Sequence, residues 1–347
     1  MWLKRGRFSI LQKILRGGFL LTCILMFAVP HAQAQVFPTL SLEALQLRVD
    51  PQFPGPGQEV TATLSSNLID LERSKITWEV DRKIIKTEGG AKQITFRANG
   101  VGETTQVGVT VTTSDGQVLD KELILSTATL DLLWEADSYT PAFYRGKGLP
   151  TPGSRVTVTA VPDVRNSAGR KLTNDELVFM WRQGSRIIAE ASGRGRNSAT
   201  FPGPELYRDF DLIVEVTSID MTTGAVNSLT LPARMPQLLL YESHPTLGIR
   251  LEKALTEQTE LPGGEISVSA QPYFVSAEST TDSALRYTWS LNGETVANPS
   301  ADRSLIVLRA NGAGGSAEVG VTIEHVFNIF QQARKAFGIN FVGETGL

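Results

Sequence analysis

The chain has 347 residues, 41% of them hydrophobic and 20% charged, an ordinary globular composition that excludes a wholly disordered protein. A net charge of −3 excludes the basic footprint that nucleic acid demands. The single cysteine, Cys23, excludes a disulfide framework within the chain and any zinc site with several thiolate ligands.

The first 34 residues carry Lys4, Arg5, Arg7, Lys13 and Arg16 and no acidic residue, then an apolar run over 17–29 and Ala32-Gln33-Ala34. A charged start, an apolar run of that length and a small-x-small site describe a secretory signal peptide cleaved after Ala34. The alternative is an uncleaved anchor, for which the run is shorter than the roughly 20 residues a spanning helix needs. Cys23 lies inside the run and leaves with it; the preceding Leu20-Leu21-Thr22 matches a lipoprotein signal poorly. Taking five basic residues from 33 leaves 28 against 36 Asp and Glu, a mature net charge of about −8. The mature chain is then cysteine-free, held by core burial alone, with no further apolar run that spans a membrane.

Residues 36–47 alternate apolar positions (Leu40, Leu42, Leu45, Leu47) and read as a first strand. Pro54-Gly55-Pro56-Gly57 breaks the chain, and Glu59-Val60-Thr61-Ala62-Thr63-Leu64 alternates as a half-buried strand does. The same opening recurs where Pro152-Gly153 precedes Arg155-Val156-Thr157-Val158, and where Pro262-Gly263-Gly264 precedes Glu265-Ile266-Ser267-Val268. A tryptophan follows each opening: Trp78, Trp181 and Trp289. From these, Phe96, Phe201 and Leu308 lie 18, 20 and 19 residues on, and Val109, Val214 and Val321 lie 13 beyond those. Arg97-Ala98-Asn99-Gly100 recurs as Arg309-Ala310-Asn311-Gly312, and Val107-Gly108-Val109-Thr110 as Val319-Gly320-Val321-Thr322, both offset by 212. Unit two puts Pro202-Gly203-Pro204-Glu205 where the others have Arg-Ala-Asn-Gly.

Tryptophan spacings of 103 and 108 residues match one β-sandwich each, large enough to bury its own core. Ser114-Asp115-Gly116-Gln117 and Asn292-Gly293 are hairpin turns. The repeat predicts a last strand over 335–341, with 326–331 a loop or single helical turn despite the helical spacing of Val326, Ile329, Phe330 and Ala333. Short junctions, the second holding Pro232 and Pro236, predict a semi-rigid rod. The fold class is all-β: a signal peptide (1–34) and three tandem immunoglobulin-like β-sandwich domains over 35–128, 129–236 and 237–347.

The proline-glycine openings, the valine-threonine strands, Tyr287-Thr288-Trp289-Ser290-Leu291-Asn292-Gly293-Glu294 and the closing valine strands resemble the tandem immunoglobulin-like and PKD-like modules of bacterial cell-surface proteins. The likeness runs over essentially all of the mature chain. The paired cysteines of antibody domains are absent, and the aspartate-rich turn of PKD modules appears only as Asn292-Gly293-Glu294. What the resemblance implies is adhesive or scaffolding work at a cell surface, on a fold that hosts many functions.

Trp78, Trp181 and Trp289 read as core residues, since a tryptophan flanked by alternating apolar positions fills the centre of such a sandwich. With His244 and His325 the mature chain's two histidines, and no Gly-x-Ser-x-Gly elbow, a Ser-His-acid triad has little to build on. Paired carboxylates for glycoside hydrolysis lack a long-loop cleft. For calcium, Asp131, Glu135 and Asp137, and Asp302 near Asn298, form no ligand-spaced cluster. The chain is therefore read as no enzyme, with no catalytic residue, metal or cofactor.

What breaks the repeat is the insertion over 137–148, with Tyr139, Phe143, Tyr144, Arg145 and Lys147. Rings supply contact area and the cations supply donors, so these five are the candidate binding residues. The competing reading packs the loop against the preceding domain to fix the angle between them; a second insertion, over 243–261, also sits at a junction. The functional expectation is an exported, periplasmic, cell-surface or extracellular non-catalytic rod that binds a protein partner. The alternative is a glycan-binding or adhesive module using the loop's aromatics; less favoured is an accessory subunit of an envelope machine whose exposed strand edges add a partner's strand.

Overall fold

The computed structural model describes residues 44–255, 258–261, 264–310 and 315–341. The signal segment with Cys23 and Ala34, Pro262-Gly263 and Asn311-Gly312 lie outside the described residues. The regular structure described is strand joined by turns and loops, with single 3-10 turns such as Leu71–Arg73 and Asn174–Glu176.

The first sandwich contains β1 (Gln46–Asp50), β2 (Glu59–Ser65), β3 (Lys75–Val80), β4 (Lys83–Gly89), β5 (Gln93–Arg97), β6 (Thr104–Thr112) and β7 (Val118–Ser126). They form two sheets, β1-β2-β5 and β4-β3-β6-β7. The second contains β8 (Thr129–Ala136), β9 (Arg155–Asp163), β10 (Leu177–Gln183), β11 (Arg186–Ile187), β12 (Gly193–Arg194), β13 (Ser198–Pro202), β14 (Phe210–Ser218) and β15 (Gly224–Leu231). Its sheets are β13-β9-β8 and β11-β10-β14-β15, with β12 also on β10.

The third contains β16 (Gln237–His244), β17 (Gly248–Ala254), β18 (Gln258–Leu261), β19 (Glu265–Tyr273), β20 (Leu285–Leu291), β21 (Glu294–Val296), β22 (Leu305–Arg309), β23 (Gly315–His325) and β24 (Asn328–Phe341). Its sheets are β17-β16-β19-β22 and β18-β24-β23-β20-β21. The protein is thus all-β, three immunoglobulin-like sandwiches in tandem.

The repeat has one physical content in all three. Trp78, Trp181 and Trp289 are at most 1% exposed, and each lies directly across the ladder from Val109, Val214 or Val321. In the facing sheet Val60 pairs with Phe96, Val156 with Phe201 and Ile266 with Leu308. A buried indole N–H needs an acceptor. It donates to the carbonyl of Ala91 (2.7 Å), Arg196 (2.9 Å) or Arg303 (3.0 Å), each five residues before Phe96, Phe201 or Leu308. Each tryptophan therefore pins the strand that its spacing marks. The Asn292-Gly293 turn closes a two-residue hairpin with φ of 51° and 88°, the left-handed pair such a turn requires.

Two expectations are corrected. Of the expected lead strand over 36–47 only residues 44–47 are described: Ala44 and Leu45 are buried, and β1 begins at Gln46. Residues 243–261 are not a loop: β16 and β17 form a hairpin edge, and β18 crosses to the other sheet, parallel to β24. His244 ends β16 and His325 ends β23.

Finally, the last strand starts at Asn328, not Lys335, and forms a hairpin with β23 whose tip is Val326 and Phe327. The apolar residues at helical spacing never form a buried face, since Ile329 is 81% exposed. Pairing with β23 instead satisfies the backbone groups that a helical turn would strand at a sheet edge.

Candidate functional site

The insertion leaves β8 and returns at β9, and its base is closed by Asp137: its N–H donates to the Arg155 carbonyl (3.0 Å) and its carboxylate accepts from Arg155 N–H (2.6 Å). Ser138 donates to the Leu149 carbonyl (2.8 Å), and Tyr144 N–H to the Pro141 carbonyl (2.9 Å). The loop is thereby folded back on itself, with its aromatic side chains on one side.

That side meets the third sandwich. The expectation that the loop packs on the preceding domain is overturned: Tyr139 N–H donates to Val275 O, and Phe274 N–H to Tyr139 O, both at 2.7 Å. This two-way bridge places the Tyr139 ring against the third sandwich's core. Phe143 meets Tyr241 edge-on (5.7 Å), and Tyr144 meets Tyr273 and Phe274 (5.6 and 5.8 Å). Tyr241 and Tyr273 bring their hydroxyls within 3.3 Å. Burial raises the pKa of Tyr139 and Tyr273 above the ordinary tyrosine range, with the Tyr241 hydrogen bond adding to the effect at Tyr273. Phe274 sits at φ 62°, a conformation that costs an aromatic residue about 1–3 kcal/mol and persists only where surroundings fix it.

A second set of contacts lies nearby. Gln331, 1% exposed, donates to Thr151 Oγ1 (3.3 Å), Pro152 O (3.2 Å) and Ser276 Oγ (2.9 Å), and accepts from Ser276 N–H (2.7 Å). Asn328 donates to Pro152 O (3.2 Å) and lies so close to Gly153 that a Cβ there would overlap it. Gly153, at φ 82°, therefore serves both the turn and the contact.

Of the five predicted binding residues, three form this joint. Tyr139, Phe143 and Tyr144 are half-buried in it, while Arg145 and Lys147 stay exposed at its rim. Lys147 Nζ lies 3.2 Å from the centre of the Trp134 ring, a cation–π contact in which partial desolvation lowers the ammonium's pKa. Asp131 and Glu135, considered as loop ligands, lie on β8. Among the described residues no group of three or more His, Cys, Asp or Glu is placed to hold a metal ion, and no helix is long and apolar enough to cross a membrane.

One concavity was not foreseen from the sequence. In the second sandwich an open groove of about 1150 Å³ runs between β11 and β13. Phe201, Ile188 and Ala191 floor it, and Arg186, Glu190 and Asp209 are on its rim. The same gap in the first sandwich, between β4 and β5, is about 360 Å³. The cause is strand length: β4 has seven residues and β11 two. The one available signal was Pro202-Gly203-Pro204-Glu205, the substituted segment, which lines the groove.

No family model matches the chain, and no curated protein matches it. Among solved structures it is similar to three N-terminal domains of the bacteriophage RB49 highly immunogenic outer capsid protein, at 13% identity and TM-score 0.25, covering 86% of this chain and 99% of that one. It is also similar to the central fibronectin-III array of RIM-binding protein, at 13% identity and TM-score 0.27, covering 86% and 96%. A third is the SGBP-B protein of a Bacteroides ovatus mixed-linkage glucan utilization locus, in complex with a mixed-linkage heptasaccharide, at 13% identity and TM-score 0.21, covering 86% and 70%. Likenesses this distant carry nothing about ligand or role, and the fold rests on the strand pairings above.

Proposed function

We propose that this is an exported, non-catalytic structural and protein-interaction module that holds its second and third sandwiches in a fixed relation. The observation that carries the reading is the Tyr139 joint. The insertion over 137–148 is spent on a backbone bridge and an interlocked aromatic cluster, which is what a scaffold requires of its most distinctive loop. Export is supported by the charged, apolar and small-x-small order of residues 1–34. The relation to PKD-like modules in particular rests on residues 287–294 alone.

The test is photo-crosslinking in cells, with the reactive residue placed in turn at exposed Ile85, Arg186, Arg145 and Phe327. Discrete adducts in the envelope or external fraction are expected; no adduct from any position would overturn the reading. The glycan-binding alternative needs the loop's rings free for a sugar. Half-exposed Trp134, under Lys147, reports on that loop, so its fluorescence is expected to stay constant across a panel of cell-wall oligosaccharides. A saturable change would favour the alternative.

A further inference from the structure

The groove in the second sandwich has a wall of a particular kind. β13 is the outer strand of its sheet, with β9 on one side and the groove on the other. Its register with β9 sets Ser198 opposite Thr159 and Thr200 opposite Thr157. The cross-strand bonds Ala160 N–H to Asn197 O (2.7 Å) and Gly203 N–H to Ser154 O (2.7 Å) fix the phase of the ladder. In an antiparallel pair, hydrogen-bonded residues alternate with residues whose backbone groups face away. The odd-numbered residues therefore bond β9, and Ser198 and Thr200 direct both N–H and C=O into the groove. The threonine and serine hydroxyls agree: Thr157 with Thr200, and Thr159 with Ser198, approach to 2.9 Å, the close side-chain spacing of non-bonded pairs.

We infer that this groove takes an extended segment of a partner protein, which adds to β13 as a further strand. The inference rests on the interaction reading above and deepens it. A donor–acceptor pair repeating every second residue along one wall is complementary to an extended backbone. Pro202, which has no N–H, ends the donor row at Thr200 and limits the guest's pairing to a short stretch. Guest side chains alternate between the sandwich interior, over Phe201, Ile188 and Ala191, and solvent. At the rim, Arg186 and Glu190 have no ion-pair partner among the described residues, so both signs are available for residues flanking an apolar-polar alternation of low net charge. In the first sandwich, seven-residue β4 narrows the equivalent gap to about 360 Å³.

The experiment selects a displayed library of ten-residue peptides on the folded full-length chain and measures the enriched peptides against Thr200→Pro. That substitution removes an outward N–H while leaving the odd-numbered bonds to β9 intact. Expected are peptides alternating apolar and polar residues, at least tenfold weaker binding to the variant at an unchanged melting temperature, and slowed amide exchange at Ser198 and Thr200 when peptide binds the unmodified chain. The exchange measurement stands even if the variant does not fold. Peptides that bind without protecting those two amides, a library that yields none, or a dimer cross-linked through β13 of two copies would each overturn the strand-addition site. If cellular crosslinking still gives adducts at Ile85, Arg145 or Phe327, the interaction reading survives that failure; if those too are absent, both fall.

Discussion

The two junctions between sandwiches are built differently. Between the first and second, no hydrogen bond or aromatic pair crosses among the described residues, though the Phe53 ring lies against Gly224 and the Arg165 side chain over Gly102. Between the second and third, a backbone bridge, three edge-on aromatic pairs and the buried Gln331 network converge. Coupling between domains follows the amount and the kind of contact. The first sandwich should therefore behave as an independent unit, and the second and third as one.

The largest effects come from the cores. Trp78→Ala and Trp181→Ala should each cost about 3–5 kcal/mol, a large part of the roughly 5–15 kcal/mol that holds a domain. In calorimetry, Trp78→Ala is expected to lower one transition alone, while Trp181→Ala lowers a transition shared by the second and third sandwiches. A third sandwich that melts at its native temperature in Trp181→Ala would break the comparison.

Gln331→Ala comes next, at about 1–3 kcal/mol, because it strands buried polar groups on both sides of the joint. Amide exchange is expected to quicken at Thr151 and Ser276 together, with the first sandwich unchanged. Tyr144→Ala removes two edge-on pairs, worth about 0.5–1.5 kcal/mol each beyond the area buried. Its mark would be uncoupling, a shared transition splitting in two, rather than loss of either fold.

The alkaline response sharpens the contrast without a mutation. All six tyrosines lie at or beyond residue 139, and burial holds the protons of Tyr139, Tyr273 and Tyr287 to higher pH in the folded protein. Above about pH 10 the unfolded chain has lost protons that the folded one keeps, so stability falls as pH rises. That fall is expected in the second and third sandwiches and not in the first, followed by tyrosinate absorbance during melting. The smallest effect is at acid pH. Exposed Glu176, held down to about 2 chiefly by its hydrogen bonds to Arg170, loses a minor contribution in the second sandwich as pH drops from about 4.5 toward 2; Glu176→Gln should abolish that dependence.

The site was legible only in part. The loop over 137–148 stood out because it broke the repeat, yet composition could not say which neighbour its rings would meet. Phe274 and Val275, its partners, lie some 130 residues away in the chain and carry no local signal. The groove was less legible still, because it arises from what is short: two residues of β11 where the first sandwich has seven.

By itself the sequence determined the three sandwiches. Alternation of period two, turn residues and the fixed distances from each tryptophan are local or evenly spaced features, and the indole bonds to Ala91, Arg196 and Arg303 give those distances their physical cause. Only the tertiary structure decided that Tyr139 bridges forward to the third sandwich and that Ser198 and Thr200 face an open groove. Both depend on which backbone groups are left over once each sheet has paired its own strands, and that remainder exists only in the assembled fold.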